Sequence, residues 1–204
     1  KTSGLSEALI QTIFRDHCIE RPASITEFTA GKLAEGEIVA WYQGRSESGP
    51  RALGHRSILA DPSRAGLKDE LNSRIKFRED FRPYGCSCLH ENADEYFDVP
   101  KGFDNPYMSF AVHTRADWRD RLSQVTHVDG TSRMQTVRAS QNTIFHELIS
   151  KFAAKTGVAC VLNTSLNVMG EPIVETAEDA LNFLEKTPVD GLAIGPFYVT
   201  RVAQ

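Results

Sequence analysis

Four apolar stretches of strand length, EIVAWYQ, MSFAVHT, VACVLNTS and GLAIGPFYVTRV, punctuate this chain, and stretches of helical period separate them. Interleaving of the two periods limits the fold to an α/β architecture, a sheet flanked by helices. In LSEALIQTIFRDHC, Leu5, Leu9, Ile13 and Phe14 share one helical face, and SITEFTAGKLAEG reads as a helix that stops at Gly36. SRAGLKDELNSRIKF places Leu67, Leu71 and Ile75 four apart, which turns Lys68, Asp69, Asn72 and Ser73 to water in a helix ending near Lys76. HVDGTSRMQTV reads as a turn at Asp129-Gly130 between two extended pieces. QNTIFHELISKFAAKTG is an amphipathic helix closed by Gly157, and Thr176 caps a helix with Glu178 and Asp179 in its first turn. No repeat, linker or low-complexity tract interrupts the pattern, so a single domain over residues 1–204 is expected.

Composition narrows the function classes. The chain is 41% hydrophobic and 25% charged with a net charge of −4, which allows a substantial core and argues against a surface selected for nucleic acid or membranes. No apolar run approaches the roughly 20 residues of a membrane span, and KTSGLSEALI lacks the apolar centre of a signal peptide. The chain begins on Lys1, which fits a fragment or a processed product. Cys18, Cys86, Cys88 and Cys160 have neither zinc-knuckle nor secreted-disulfide spacing, so reduced thiols and a cytoplasmic setting are expected. Cys86 and Cys88 have no adjacent His or cation pattern and are read as packing groups.

Three stretches carry candidate chemistry. GRSESGPRALGHRS sets Arg45, Arg51 and Arg56 among Gly44, Gly49 and Gly54, so the backbone can bend round a ligand while guanidinium forks offer paired donors. Phosphate suits that arrangement; the alternative is an ion-pair network with Glu47 or Asp61. In IKFREDFRPYG an extended backbone would put Lys76 and Arg78 on one side, with Arg82 beyond Phe81. These cations either converge on a polyphosphate or form a solvated face balanced by Glu79 and Asp80. LNTSLNVMGEPI ends a strand on Asn163, Thr164, Ser165 and Asn167, which suits phosphate or ribose contacts and equally suits a turn. The six histidines show no metal-ligand spacing, and neither a Walker-type loop nor a nucleophile elbow is present, so no protein-held metal is expected.

The run GRSESGPRALGHRSILADP, followed in order by LNSRIKFREDFRPYGCSCL, ADEYFD, HVDGTSRMQTV and GVACVLNTSLNVMGEPIVETAEDAL, resembles the C-terminal domain of the O-carbamoyltransferases, the family of nodulation and antibiotic-tailoring carbamoyltransferases. The likeness runs from about Gly36 to the end, with Cys86-Ser87-Cys88 departing from the family pattern. It implies a YrdC-like fold, a twisted mixed sheet flanked by helices, and formation of carbamoyl-adenylate from ATP and carbamoyl phosphate. It further implies an N-terminal domain, absent here, that transfers the carbamoyl group to a hydroxyl acceptor.

The family signatures K-x-R and S-x-N correspond to Lys76-Phe77-Arg78 and Ser165-Leu166-Asn167. By that resemblance Lys76, Arg51 and Arg133 are the catalytic cations, and Arg82 joins them at the phosphates. Ser165 and Asn167 meet the nucleotide phosphate or the carbamoyl group, while Arg45, Arg56, Arg78 and Asn163 support them. Adenylyl transfer needs positioning and charge neutralisation rather than a side-chain nucleophile, and Mg²⁺ is expected to arrive on ATP. Two rivals remain: a threonylcarbamoyl-adenylate synthase for tRNA modification, against which GPRALGHRS argues, and an RNA-binding module, against which the scarcity of interleaved aromatics argues.

Overall fold

A small polar side chain takes up free backbone amides at the start of four helices: Ser6 accepts from Leu9 N, Ser24 from Glu27 N, Asn142 from Phe145 N and Thr176 from Asp179 N. The computed structural model describes residues 6–79 and 81–202. In chain order α1 (Glu7–Ile13), β1 (His17–Glu20), α2 (Ile25–Ala34), β2 (Val39–Tyr42) and β3 (Arg56–Ala60) lead to α3 (Leu67–Glu70), which continues as a π-helical turn over Leu71–Lys76. There follow β4 (Gly85–Leu89), α4 (Ala93–Tyr96), β5 (Ala111–His113), β6 (Thr131–Val137), α5 (Thr143–Thr156), β7 (Cys160–Ser165), α6 (Ala177–Lys186), β8 (Gly191–Ile194) and β9 (Phe197–Arg201).

Among the described residues the strands form one sheet in the order β1-β9-β8-β2-β3-β7-β4-β6-β5, parallel at β2/β8 and β4/β6 and antiparallel elsewhere. All four residues of β2 and all five of β3 and β4 are buried, as central strands covered on both faces require. Helices α2 and α5 pack against each other, and α6 lies between α1 and β8. Among the described residues no helix is long and apolar enough to cross a membrane.

The register places one set of strand ends on a common rim. Tyr42 ends β2 opposite Arg56, Ser57 pairs with Ser165 at the end of β7, and Gly85 at the start of β4 lies between Asn163 and Arg133. Candidate residues more than a hundred positions apart thus reach one edge of the sheet.

Several sequence expectations change. The buried face of α1 is Ile10 and Phe14, with Leu9 38% exposed, while Leu5 lies outside the described residues. The last apolar stretch is two strands, folded at Gly195 (φ 56) so that Ile194 pairs with Phe197. Only the second half of HVDGTSRMQTV is a strand; the first half forms turns, with Gly130 N bonded to His127 O. Strands β1, β3 and β4 lie in stretches too mixed in polarity to show a strand period. Lys76 and Arg78 do not share an extended segment: Lys76 ends the π-turn and Phe77 adopts the left-handed region at φ 48. The wider turn also rotates Asn72 inward, and it is fully buried rather than solvent-facing.

Gly54 lets the β2–β3 connection lie against α5. It holds φ 99, and a Cβ there would come within 2.2 Å of the Phe145 ring. Gly54→Ala should therefore lower stability by about 2 to 4 kcal/mol, because a left-handed backbone penalty adds to a clash in a closed core. Gly102→Ala, left-handed at φ 78 but in open space, should cost only about 1 kcal/mol. Urea denaturation of both variants checks the difference, and equal losses would refute the packing role of Gly54.

Candidate functional site

The arginine-rich connection is shaped by one carboxylate. Glu47 Oε1 accepts from Leu53 N at 2.6 Å and His55 N at 2.9 Å, which draws the two ends of the loop together. Four strands of the sheet pin it from below: Trp41 Nε1 on β2 donates to Gly54 O at 3.0 Å, Gly54 N to Ser57 Oγ on β3 at 3.2 Å, Gln135 Nε2 on β6 to Leu53 O at 3.2 Å and Asn163 Nδ2 on β7 to Ala52 O at 3.1 Å. Among the described residues neither Glu47 nor Asp61 pairs with Arg45, Arg51 or Arg56. Glu47 serves backbone amides, and Asp61 Oδ1 accepts from Ser63 N and Oγ. The ion-pair alternative for this stretch is not what the chain adopts.

The three arginines divide their work. Arg56 is buried, with its guanidinium 3.5 Å from the Tyr42 ring centre, and it donates to the carbonyls of Gln43, His55 and Gly44 at 3.0, 3.1 and 3.2 Å. It holds the loop's base. Arg45 and Arg51 are exposed and line a cleft of about 720 Å³ with Tyr107, Met108, Gln135 and Asn142. Residues 46–50 form its wall, and beyond lies a smaller cleft of about 490 Å³ that reaches Ser165 and Asn167.

Lys76 links the second and third stretches. Its Nζ donates to Ser165 O and to Asn167 O and Oδ1 at 2.9 and 2.8 Å, with Ser165 Oγ at 3.3 Å. Burial, helped by the charge of Arg78, pulls its pKa down to about 7. The surrounding oxygens favour the ammonium form, so the site opposes the desolvation with the acceptors it has. Because the folded-state pKa is below the ordinary lysine value, Lys76 weighs most against folding below pH 7, and this burden eases as the pH rises from about 7 towards 10.5. Arg78 stacks 4.2 Å from the Tyr84 ring centre and donates from Nε to Asn72 Oδ1 at 3.0 Å, an oxygen that also accepts from Tyr84 OH at 2.6 Å. Burial pushes the Tyr84 pKa up to about 12, so it stays a neutral donor.

Arg133 completes the charged set. Burial first, and then the nearby charges of Arg51 and Arg78, lower its pKa, and its Nε is buried without a partner among the described residues. Arg51 and Arg78 both lie close enough to act on Arg133, and with no carboxylate among the described residues pairing any of the three they form a field that an anion would neutralise. Arg82 stands apart: it is exposed and pairs with Glu79 at 3.1 Å. Asp80, its other expected counter-charge, lies outside the described residues.

Sequence reasoning missed the residues that position these groups. Glu47 was visible only as a counter-ion, Asn72 as a solvent-facing residue, and Ser87 and Gln135 not at all. Their roles depend on register, since Ser87 Oγ donates to Gln135 Oε1 at 2.7 Å and accepts from Asn163 Nδ2 at 2.8 Å. Cys86 and Cys88 are buried as expected, and burial pushes the Cys88 thiol far above its ordinary pKa, which leaves it inert at neutral pH.

A family model described as carbamoyltransferase C-terminus matches residues 30–201. The nodulation protein NolO of Bradyrhizobium diazoefficiens is 44% identical over 184 residues, which cover 90% of this chain and 34% of that protein. A 3'-hydroxymethylcephem-O-carbamoyltransferase of Amycolatopsis lactamdurans is 42% identical, with 89% of this chain and 34% of the relative covered. This chain thus spans about a third of the length of these curated relatives. Among solved structures, full-length HypF in its phosphate- and nucleotide-bound form superposes with TM-score 0.54 at 14% identity over 90% of this chain and 22% of its own. A Sua5 variant of P. abyssi superposes with TM-score 0.53 at 14% identity over 79% of this chain and 44% of its own. The fold they share is the YrdC-like mixed sheet flanked by helices.

Inorganic pyrophosphate is the simplest probe of the charged set. Its affinity should fall about tenfold between pH 6 and pH 9, because Lys76 loses its proton near 7, and binding at pH 8 should take up a proton. Calorimetry in buffers of different ionisation enthalpy measures both effects. A pH dependence that survives in Lys76→Met would show that another group titrates.

Proposed function

Because the chain belongs to the carbamoyltransferase C-terminus family, we propose that it forms carbamoyl-adenylate from ATP and carbamoyl phosphate, for transfer to a hydroxyl acceptor elsewhere in a larger enzyme. The observation that carries this reading is the convergence of Arg51, Lys76, Arg78 and Arg133 with Ser165 and Asn167 at one rim of the sheet. Two adjoining clefts, one lined by Arg45 and Arg51 and the other by Ser165 and Asn167, suit a reaction of two anionic substrates.

Atom balance defines what the site must do. Water cleaves carbamoyl phosphate to carbamate and phosphate; a carbamate oxygen then attacks the α-phosphorus of ATP, the bond to the bridging oxygen breaks, and pyrophosphate leaves with its electron pair. Charge accumulates on phosphate oxygens throughout, so fixed cations in a partly desolvated rim lower the barrier without a nucleophilic side chain. Arg51, Lys76 and Arg133 take the phosphate charge. Arg78 adds its positive charge beside Arg133 and Lys76, which strengthens the field an anion meets, and Arg56 and Asn163 hold the loop that carries Arg45 and Arg51. Ser165 and Asn167 fix the Lys76 ammonium and border the smaller cleft, while Arg82 could join only by leaving Glu79. The rim offers cations, hydroxyls and amides, and among the described residues no cluster of His, Cys, Asp or Glu would hold an ion. That donor set fits Mg²⁺ carried on the phosphates of ATP, where it would shield charge and order the chain of phosphates.

Transfer requires an acceptor pocket facing the activated carbonyl, and the remaining two thirds of the relatives' length is where we place it. The exposed apolar side chains next to Lys76 and Arg82 in the chain include Phe77 and Phe81, 53% and 78% exposed. The stretch from Tyr84 to Cys88 is buried within or beside β4 and offers no surface, so a docking contact there reduces to these two rings.

Lys76→Ala and Arg133→Ala should each reduce pyrophosphate release from ATP plus carbamoyl phosphate by about 10- to 100-fold, the loss expected for a charge-assisted contact. Malachite-green and pyrophosphate assays on folded variants provide the measurement, and undiminished release would refute the assignment. The chain alone, supplied with both substrates and a panel of polyhydroxyl acceptors, should yield pyrophosphate but no carbamoylated product by mass spectrometry. Efficient product formation would overturn the division of labour.

A further inference from the structure

On the sheet face covered by the arginine loop, Asn163 carries an oxygen that the fold leaves unused. Its Nδ2 donates to Ala52 O at 3.1 Å and Ser87 Oγ at 2.8 Å. A carbonyl can only accept, so the amide nitrogen must be the atom on that side and Oδ1 lies on the other. Oδ1 is buried without a partner among the described residues, in a side chain that is 2% exposed. Arg133 carries the complementary orphan, the buried donor Nε. Gly85 pairs with Asn163 on one side and with Arg133 on the other. Directly paired residues project from the same face, so an acceptor and a donor flank a position that has no side chain.

Met108 covers that position. A Cβ on Gly85 would lie 3.3 Å from Met108 Sδ and 3.5 Å from its Cε. Met108 is 5% exposed, holds a left-handed φ of 54, and belongs to the Pro106–Ser109 wall of the larger cleft. A thioether is a weak acceptor with no proton to give, so it leaves Oδ1 unsatisfied, and its unbranched chain can move aside.

We propose that Asn163 Oδ1 and Arg133 Nε form the subsite that reads the H₂N–C(=O)– group of the substrate, with Met108 as a stopper that the bound group displaces. This inference rests on the carbamoyl-adenylate reading above. The amino group donates to Oδ1, and the carbonyl oxygen or the neighbouring phosphate oxygen accepts from Nε. An acetyl group has nearly the same shape but presents a methyl where the amino group should be. It would bury Oδ1 against carbon, and sites built to bond a substrate N–H reject analogues that lack it.

Calorimetric titration of the folded chain with carbamoyl phosphate and with acetyl phosphate tests this. The unaltered chain should prefer carbamoyl phosphate by about tenfold or more. Asn163→Leu, which also removes the bond to Ala52 O and so weakens both ligands, should bring the two affinities within about twofold of each other, whereas Ser87→Ala, which removes one anchor of Asn163 but not its oxygen, should keep the preference. Met108→Ala should tighten carbamoyl phosphate several-fold; unchanged affinity would overturn the stopper. Equal affinity of the unaltered chain for the two ligands overturns the subsite and leaves the adenylate reading standing. Binding of neither overturns both. Should Asn163→Leu not fold, the ratio in the unaltered chain and the Met108→Ala titration each remain able to refute the proposal.

Discussion

A polar segment laid across a buried sheet face must find a partner for nearly every amide and carbonyl it carries, and the 43–55 connection meets that demand with few groups. The Glu47 carboxylate gathers Leu53 N and His55 N, the Arg56 guanidinium gathers the carbonyls of Gln43, Gly44 and His55, and Ser57, Gln135 and Asn163 bind Ala52, Leu53 and Gly54 from the sheet. The sheet is polar beneath the loop because the loop needs it to be. With the backbone satisfied in this way, Arg45 and Arg51 are free to face the cleft, and their positions are set by hydrogen bonds that neither of them has to make.

The cost of the arrangement falls on electrostatics. Arg51 and Arg78 each oppose the charge of Arg133, and Lys76 is held where burial disfavours its charge. A fold selected for stability alone would place carboxylates among these cations, as the surface does with Arg64 between α3 and the preceding turn, paired to Glu70. Perturbed groups gathered at a cleft are the usual mark of a site where binding supplies what folding withholds. The same reasoning explains why Asn72 and Tyr84 matter: they fix Arg78 with neutral donors and acceptors, which orient a cation without cancelling it.

Much of this was legible in the sequence, and the illegible part has a common cause. Helices α2, α5 and α6 follow from period and caps, and β2 and β7 from continuous apolar runs, because these signals are local. Strand β4 was hidden by its own composition: Gly85, Cys86, Ser87 and Cys88 are small and mixed in polarity, and a buried Ser87 is acceptable because Gln135 and Asn163 on the neighbouring strands bond its hydroxyl. The π-turn at Leu71–Lys76 defeated a strict four-residue stripe, since Leu67, Leu71 and Ile75 are buried as the stripe requires while Asn72 follows them inward. The charged residues of the site could be picked out by type and by family likeness, but which ones converge depends on register, and so Arg82 was grouped with cations that it does not join. Orphan atoms such as Asn163 Oδ1 and Arg133 Nε are invisible until every other bond has been assigned.

Strand β7 lies between β3 and β4 in the sheet although it is synthesised well after both: β3 ends at Ala60, β4 at Leu89, and β7 begins at Cys160. As the chain emerges from N- to C-terminus, β3 and β4 must wait with open edges until β7 arrives to bridge them, a non-local closure of the kind that slows folding. Lys76 waits as well, because the oxygens that receive its ammonium belong to Ser165 and Asn167. The rim is therefore among the last parts of the molecule to exist, and any nascent chain shorter than the end of β7 is obliged to carry its arginines without a site to put them in.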